Sequence, residues 1–237
     1  MPGKTSTFVV RVQRDDVHGT PGEAVRFTVA PGDWDINQAG QVQLLPPGTL
    51  TDSACAWATF SPAEFSLAPG GMGPVRVSVS APPDVAPGLY RLGLFFEEHS
   101  AVPPVNEATR RLVFRYRLST MIYVVVPPVE KRISLKLVEL REAGGRASVR
   151  ALLENPGTVF LRPEHWIEIR DAEGRLVQRT ERTPTMPLLP GHELDVELAL
   201  PEGLARSGPL AVRYLVDAGA ELPLQAATLS LGGAGSE

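Results

Sequence analysis

The chain has 237 residues, of which 22 are glycine and 23 are proline. Both residue types interrupt helices, so this composition excludes a mostly helical bundle. A formal net charge of −4 gives no electrostatic footprint for nucleic acid. No apolar run reaches the roughly 20 residues of a membrane-spanning helix. Because 43% of the residues are hydrophobic, the chain can build cores, and an all-β protein rich in turns is predicted.

Apolar and polar residues alternate with period two along the first half of the chain, and this alternation predicts β-strands. The predicted strands of this half are 7–13, 25–29, 41–45, 56–61, 64–67, 74–80, 88–98 and 111–126. Proline and glycine mark the turns between them. One such Pro-Gly pair, 31–32, predicts a turn that places Trp34 at the end of a sandwich.

Pro127 and Pro128 interrupt the strand pattern, because adjacent prolines cannot donate to a β-ladder. We therefore predict a boundary between a domain of residues 1–127 and a domain of residues 128–237. The predicted strands of the second half are 132–140, 146–154, 159–170, 175–183, 193–200, 209–217 and 222–231. Seven short strands in about 100 residues are typical of an immunoglobulin-like sandwich. The predicted fold is two tandem immunoglobulin-like β-sandwiches.

The sequence predicts no enzyme, no cofactor and no metal site. Cys55 is the only cysteine, and neither a G-x-S-x-G elbow nor a phosphate-binding loop is present. Residues 33–37 resemble the start of a calcium loop, but Gln38 replaces the glycine and Leu44 replaces the bidentate glutamate that the loop requires. The four histidines lack the spacing of zinc ligands. A hydrolase built around Cys55 or a His/carboxylate pair is the weakest of the alternatives.

Carbohydrate binding is a competing class of function. Trp34, Trp57 and Trp166 supply rings on which a sugar stacks if the rings are exposed. The hypothesis requires at least two exposed aromatic rings on one concave surface.

A series of motifs resembles bacterial two-domain immunoglobulin-like envelope proteins related to the PapD-like pilus assembly chaperones. In the first half these motifs are PGDW (31–34), LLPPGT (44–49), WATFSPAEFSLAPG (57–70), APPDVAPGLYRLGLFFEE (81–98) and RLVFRYRLSTMIYVVVP (111–127). In the second half they are NPG (155–157), DAEG (171–174) and LLPG (188–191). Their order along nearly the whole chain is more specific than any single motif.

The resemblance implies that the strand 111–126 binds a protein partner. In pilus chaperones the matching strand lends alternating hydrophobic side chains to an unfinished subunit, which is β-strand addition. Alternation puts four apolar side chains on one face and two arginines on the other. The predicted partner-binding residues are Leu112, Phe114, Tyr116, Leu118, Arg115 and Arg117. An ordinary core strand is the alternative.

The resemblance also implies a periplasmic or cell-envelope protein whose partner is a pilin-like subunit. Family chaperones anchor a partner's carboxylate with an arginine of the first strand and a lysine of the last. Here the corresponding last-strand positions, Met121, Ile122 and Tyr123, are uncharged, and Arg115 or Arg117 is the candidate substitute. A structural or adhesion module is the broader alternative.

The family's first strand and its secretion signal precede the segment that resembles the beginning of this chain. We therefore expect strand A of the first sandwich to be lacking, and no signal peptide is found in the sequence. A sandwich without that strand has an unpaired edge. Self-association through this open β-edge is the second predicted mode of binding.

Overall fold

The structure, a computed structural model, describes residues 3–15, 23–99, 117–201, 204 and 208–231. Its regular elements there are β-strands and one short 3-10 helix, Cys55–Trp57, so the predicted all-β class is confirmed. The strands of the first half are β1 (Thr5–Gln13), β2 (Val25–Ile36), β3 (Val42–Leu45), β4 (Ala58–Ser61), β5 (Glu64–Leu67), β6 (Met72–Ser80), β7 (Gly88–His99) and β8 (Arg117–Val126).

The strands of the second half follow in the same style, joined by short turns. They are β9 (Ser134–Ala143), β10 (Arg146–Glu154), β11 (Glu164–Arg170), β12 (Leu176–Arg179), β13 (Thr183–Pro184), β14 (Glu193–Ala199), β15 (Leu210–Asp217) and β16 (Gln225–Leu231). The chain forms two compact units. The first comprises Met1–Asp35 and Leu44–Pro127, and the second comprises Ile36–Gln43 and Pro128–Glu237. Separate folding of 1–127 and 128–237 stays a prediction.

The first unit is a sandwich of two antiparallel sheets. One sheet has the order β1-β6-β4, and the other has the order β3-β2-β7-β8 with β5 paired to β2. Alternate valines of β6 pack against alternate apolar residues of β7, which is the sheet-on-sheet arrangement that period-two sequences favour. The centre of this core contains Val75, Val77, Leu92, Leu94 and Phe96.

The second unit is a sandwich of the same kind. Its sheets have the orders β14-β10-β9 and β12-β11-β15-β16, with β13 paired to β11. Val149, Ala151 and Leu153 of β10 face Ile167, Ile169 and Tyr214 across the core. Two sandwiches in tandem confirm the predicted fold.

β2 differs from its prediction because it continues through Pro31 and Gly32, where a turn was expected. Val29 donates its N–H to the carbonyl of Ala63, on the β5 side of β2, at 2.8 Å. Alternation then points the nitrogen of Pro31 to that same side, beyond the last residue paired with β5, Thr28. The missing N–H therefore costs no bond to β7. Trp34 lies buried within the strand rather than in a turn at the sandwich end.

Candidate strand-addition edge

β8 is the last strand of its sheet. It pairs with β7 in a regular antiparallel register from Gly88 opposite Val126 to Glu97 opposite Arg117, without a bulge. No strand of the described residues pairs with its other side. β8 has no proline, and its only charged residue is Arg117 at one end. Within its own residues β8 therefore lacks the prolines, bulges and central charges that often protect a sheet edge from pairing with another chain.

The backbone direction along β8 follows from the strands beside it. Because Val29 of β2 bonds toward β5, its neighbours Thr28 and Ala30 bond toward β7. The residues of β7 opposite Thr28 and Ala30 have odd numbers, so the odd-numbered residues of β7 bond to β2. The even-numbered residues of β7 therefore bond to β8, where they face even-numbered residues. The N–H of Arg91, which donates to the carbonyl of Asp52, agrees with this pattern. The residues whose N–H and C=O groups point to the open edge are therefore Ser119, Met121, Tyr123 and Val125.

The side chains of β8 alternate between two faces. Ile122 packs in the core of the first unit, and Val124 packs against it. Leu118 has the same parity and faces the same side, but it is 49% exposed because the core ends there. Arg117 lies on the opposite face, where it forms an exposed ion pair with Glu97 at 3.5 Å.

The remaining predicted partner-binding residues lie outside the described residues. They are Leu112, Phe114, Arg115 and Tyr116. The structure thus brings Leu118 and Arg117 to the edge strand, on the opposite faces that alternation predicts. The role of all six residues in binding stays a prediction.

β1 is an edge strand of the other sheet and borders the same opening. Between β1 and β8 lies a groove of about 150 Å³, which we name the β1–β8 groove. Phe8 is 37% exposed there although its even-numbered neighbours Val10 and Val12 turn toward the core. The groove is lined by Lys4, Ser6, Phe8, Val79, Ala81, Ile122, Tyr123, Val124 and Val125. An apolar opening thus accompanies two sheet edges.

The backbone direction along β1 is also determined. Arg14, just after β1, donates its N–H to the carbonyl of Gly71, so even-numbered residues of β1 bond to β6. Pro74, which has no N–H, faces Arg11, an odd-numbered residue, as this pattern requires. Odd-numbered residues, including Thr7 and Val9, therefore point their N–H and C=O groups away from β6.

A buried cation lies beside the middle of β8, and sequence reasoning missed it. Arg91 is 4% exposed, and its guanidinium binds Asp35 at 2.9 Å and Asp52 at 2.8 Å. It also covers the ring of Trp34, which meets the ring of Tyr123 edge-on at 5.2 Å between centroids. Because two carboxylates already neutralise Arg91, it is a structural cation rather than a carboxylate anchor for a partner.

Asp33 and Cys55 form a second buried cluster. Ser53 Oγ and Cys55 Sγ donate to Asp33 Oδ1 at 2.5 and 3.1 Å, and the N–H of Leu50 donates to Oδ2. Burial opposes ionisation of Asp33, but these bonds outweigh it and lower its pKa. Burial, together with the nearby Asp33 carboxylate, raises the pKa of Cys55 to about 11. The thiol therefore stays protonated and is not an activated nucleophile.

The tryptophans that were candidates for sugar binding lie in or against the cores. Trp34 and Trp166 are buried, and Trp57 is half-buried with its ring 4.6 Å from that of Tyr90. The tryptophans therefore do not form an exposed sugar-binding surface.

Among the described residues no group of three or more His, Cys, Asp or Glu side chains is placed to hold a metal ion. In the same part of the chain, no helix has the length and apolar character to cross a membrane.

No protein-family model matches the chain, and no curated protein matches it. Solved structures of fimbrial chaperones do match. The class 5 fimbriae chaperone CfaA is 12% identical with a TM-score of 0.45, covering 95% of this chain and 92% of its own. The CupB2 chaperone of Pseudomonas aeruginosa is 18% identical with a TM-score of 0.42, covering 95% of this chain and 93% of its own.

A further match is a chain of the CsuC–CsuE complex of Acinetobacter baumannii, described as a chaperone–tip adhesion subunit pre-assembly complex. It is 11% identical with a TM-score of 0.44, and the match covers 94% of this chain and 90% of the other. The chain is thus similar over most of its length to solved structures of fimbrial chaperones, at TM-scores below 0.5. At these identities and TM-scores the likeness supports no statement about activity, so the candidate site rests on the open edge itself.

Proposed function

We propose that this chain is a non-enzymatic envelope protein that binds a protein partner by β-strand addition along β8. The observation that supports this proposal is the open edge of β8. There Ser119, Met121 and Val125 direct backbone groups away from β7, and no described strand pairs with that side. Backbone bonds of this kind supply the affinity of an added strand, and alternate side chains supply its specificity.

The surroundings of β8 define the strand that fits it. Every second side chain of an added strand points to the core-facing side, where the β1–β8 groove presents Phe8, Ile122 and Val124. We therefore propose a partner segment with apolar residues at alternate positions. From the sequence resemblance we take its class to be an unfinished pilin-like subunit, met in the periplasm.

A proline on the open edge tests this proposal. Ser119→Pro removes an N–H that points to the partner but leaves the β7 ladder intact, because the bonds to β7 come from even-numbered residues of β8. The probe is a pilin-like subunit expressed without the segment that completes its sheet. We expect the wild-type chain to form a complex with it on size-exclusion chromatography and to reduce its light scattering. Ser119→Pro should weaken binding by about tenfold or more.

The matched control is Thr7→Pro, which removes an open-edge N–H from β1 instead of β8. We expect this variant to bind the probe as the wild type does. Equal binding by Ser119→Pro and the wild type, or loss of binding in Thr7→Pro alone, would show that β8 is not the binding edge.

A further inference from the structure

No described strand pairs with the outer side of β1. We propose that this edge pairs with β1 of a second copy of this chain, antiparallel across a two-fold axis. This pairing uses a different sheet from the proposed partner site on β8 and does not depend on it. It would extend the sheet β1-β6-β4 into a continuous six-stranded sheet shared by two copies.

The residues of β1 themselves present no obstacle to such pairing. All nine residues follow one uninterrupted register with β6, and the strand contains no proline. Arg11 is its only charged side chain. Val9, at the centre of the strand, is 42% exposed on the outer face. A long, regular edge with an apolar centre is a template for another strand.

The direction of the backbone selects one register for a symmetric pair. The N–H and C=O groups on the open edge belong to the odd-numbered residues, so an added copy must place odd opposite odd. Full overlap of Thr5–Gln13 with itself puts Val9 opposite Val9 of the partner copy on the two-fold axis. The five odd-numbered residues then exchange about ten hydrogen bonds between the copies, a number usual for a stable interface.

The charges and apolar side chains of β1 are self-complementary in this register. Thr7 lies opposite Arg11 of the partner copy, so no two cations face each other. On the core-facing side Phe8 lies opposite Val10 of the partner copy, so two apolar side chains meet there. An isologous contact needs a surface that is complementary to itself. β1 meets this condition in the register given above, and on that ground we propose a second copy as its occupant.

Two substitutions of one residue test the register. Thr7→Glu and Thr7→Lys both lose the hydrogen bond between Thr7 and Ser78, so each is a control for the other. In the proposed dimer a glutamate faces Arg11 of the partner copy twice and a lysine repels it twice. By sedimentation velocity on the full chain we expect a reversible wild-type dimer. The dissociation constant should be lower for Thr7→Glu than for Thr7→Lys, about tenfold apart.

A second pair of variants keeps the test decisive if the first pair is poorly folded. Val9→Lys and Val9→Glu should each be monomeric, because like charges meet on the two-fold axis, and an equimolar mixture should restore the dimer. Melting temperatures check that each variant is folded. A wild type that is monomeric at every concentration reached overturns the proposal. Equal dissociation constants for the two Thr7 variants, or a dimer of Val9→Lys as stable as that of the wild type, also overturn it.

Discussion

His165 shows how one buried side chain responds to pH. It is 4% exposed in the second unit, and its Nδ1 lies 2.7 Å from the hydroxyl of Tyr214. Burial lowers the pKa of His165 to about 4, and burial also raises the pKa of Tyr214. The imidazole is therefore neutral in the folded protein at pH 7, whereas in the unfolded chain it binds a proton near its ordinary pKa of 6.5.

We expect the free energy of unfolding to fall as the pH decreases from about 6.5 to about 4, because only the unfolded chain gains the proton of His165 in that range. The loss amounts to about 2–3 kcal/mol at pH 4.5. His165→Gln, which retains an amide for Tyr214 but does not titrate, should lack this part of the pH dependence. Urea unfolding of both proteins at pH 7 and pH 4.5 measures it. An identical pH dependence in the two proteins would contradict the prediction.

Arg91 is buried as deeply as His165, but Asp35 and Asp52 bind its guanidinium. A substitution of Arg91, unlike one of His165, removes the cation that two carboxylates bind. Arg91→Met would leave two carboxylates without their cation and should reduce the stability of the first unit by about 2–3 kcal/mol, since both carboxylates retain some contact with water.

At the level of the element, Gly32 of β2 leaves room for the ring of Phe95 from the neighbouring strand β7. The ring of Phe95 lies over this glycine and over Gly93, so a Cβ on Gly32 would stand 2.1 Å from Phe95 Cε2. The backbone of Gly32 is not in the left-handed region, and an alanine would otherwise restrict the unfolded chain and stabilise the fold. The contact with Phe95 decides whether an alanine at position 32 stabilises or destabilises the fold.

We expect Gly32→Ala to lower the free energy of unfolding by about 1–3 kcal/mol, because the Phe95 ring must move. In a Phe95→Ala background the cost should largely disappear, since the obstructing ring is absent. Gly208→Ala is the control, because a Cβ there meets no described atom within 4 Å and should not destabilise the protein. Urea denaturation of the wild type and these variants gives the coupling free energy between positions 32 and 95. A full cost of Gly32→Ala in the Phe95→Ala background would refute this account.

Local alternation was enough to predict most strands, and for β5 and β10 it predicted both ends, 64–67 and 146–154. It failed at Pro31, where the cost of a missing N–H depends on which strand lies on that side. It also gave the opposite faces of Arg117 and Leu118. It did not give the pairing of Arg91 with Asp35 and Asp52, because those contacts join residues distant in sequence and depend on strand order.

For the molecule as a whole, the two cores share no residue among those described. We propose that residues 1–127 and 128–237 are two folding domains. Differential scanning calorimetry at pH 7 should then show two transitions. Arg91→Met should lower the melting temperature of one of them and leave the other unchanged.

The pH dependence of His165 serves as the matched marker for the second domain. At pH 4.5 the transition that Arg91→Met leaves unchanged should be the one that differs between the wild type and His165→Gln. One cooperative transition that both substitutions shift would show that the chain unfolds as a single unit.

The cluster around Asp33 has a chemical consequence for the environment in which the chain works. With the pKa of Cys55 at about 11, only about one molecule in ten thousand has a thiolate at pH 7, and disulfide exchange requires the thiolate. Burial and the neighbouring carboxylate thus keep Cys55, the sole cysteine of the chain, in the less reactive thiol form. In an oxidising compartment the chain would meet cysteine-containing proteins without becoming covalently trapped by them.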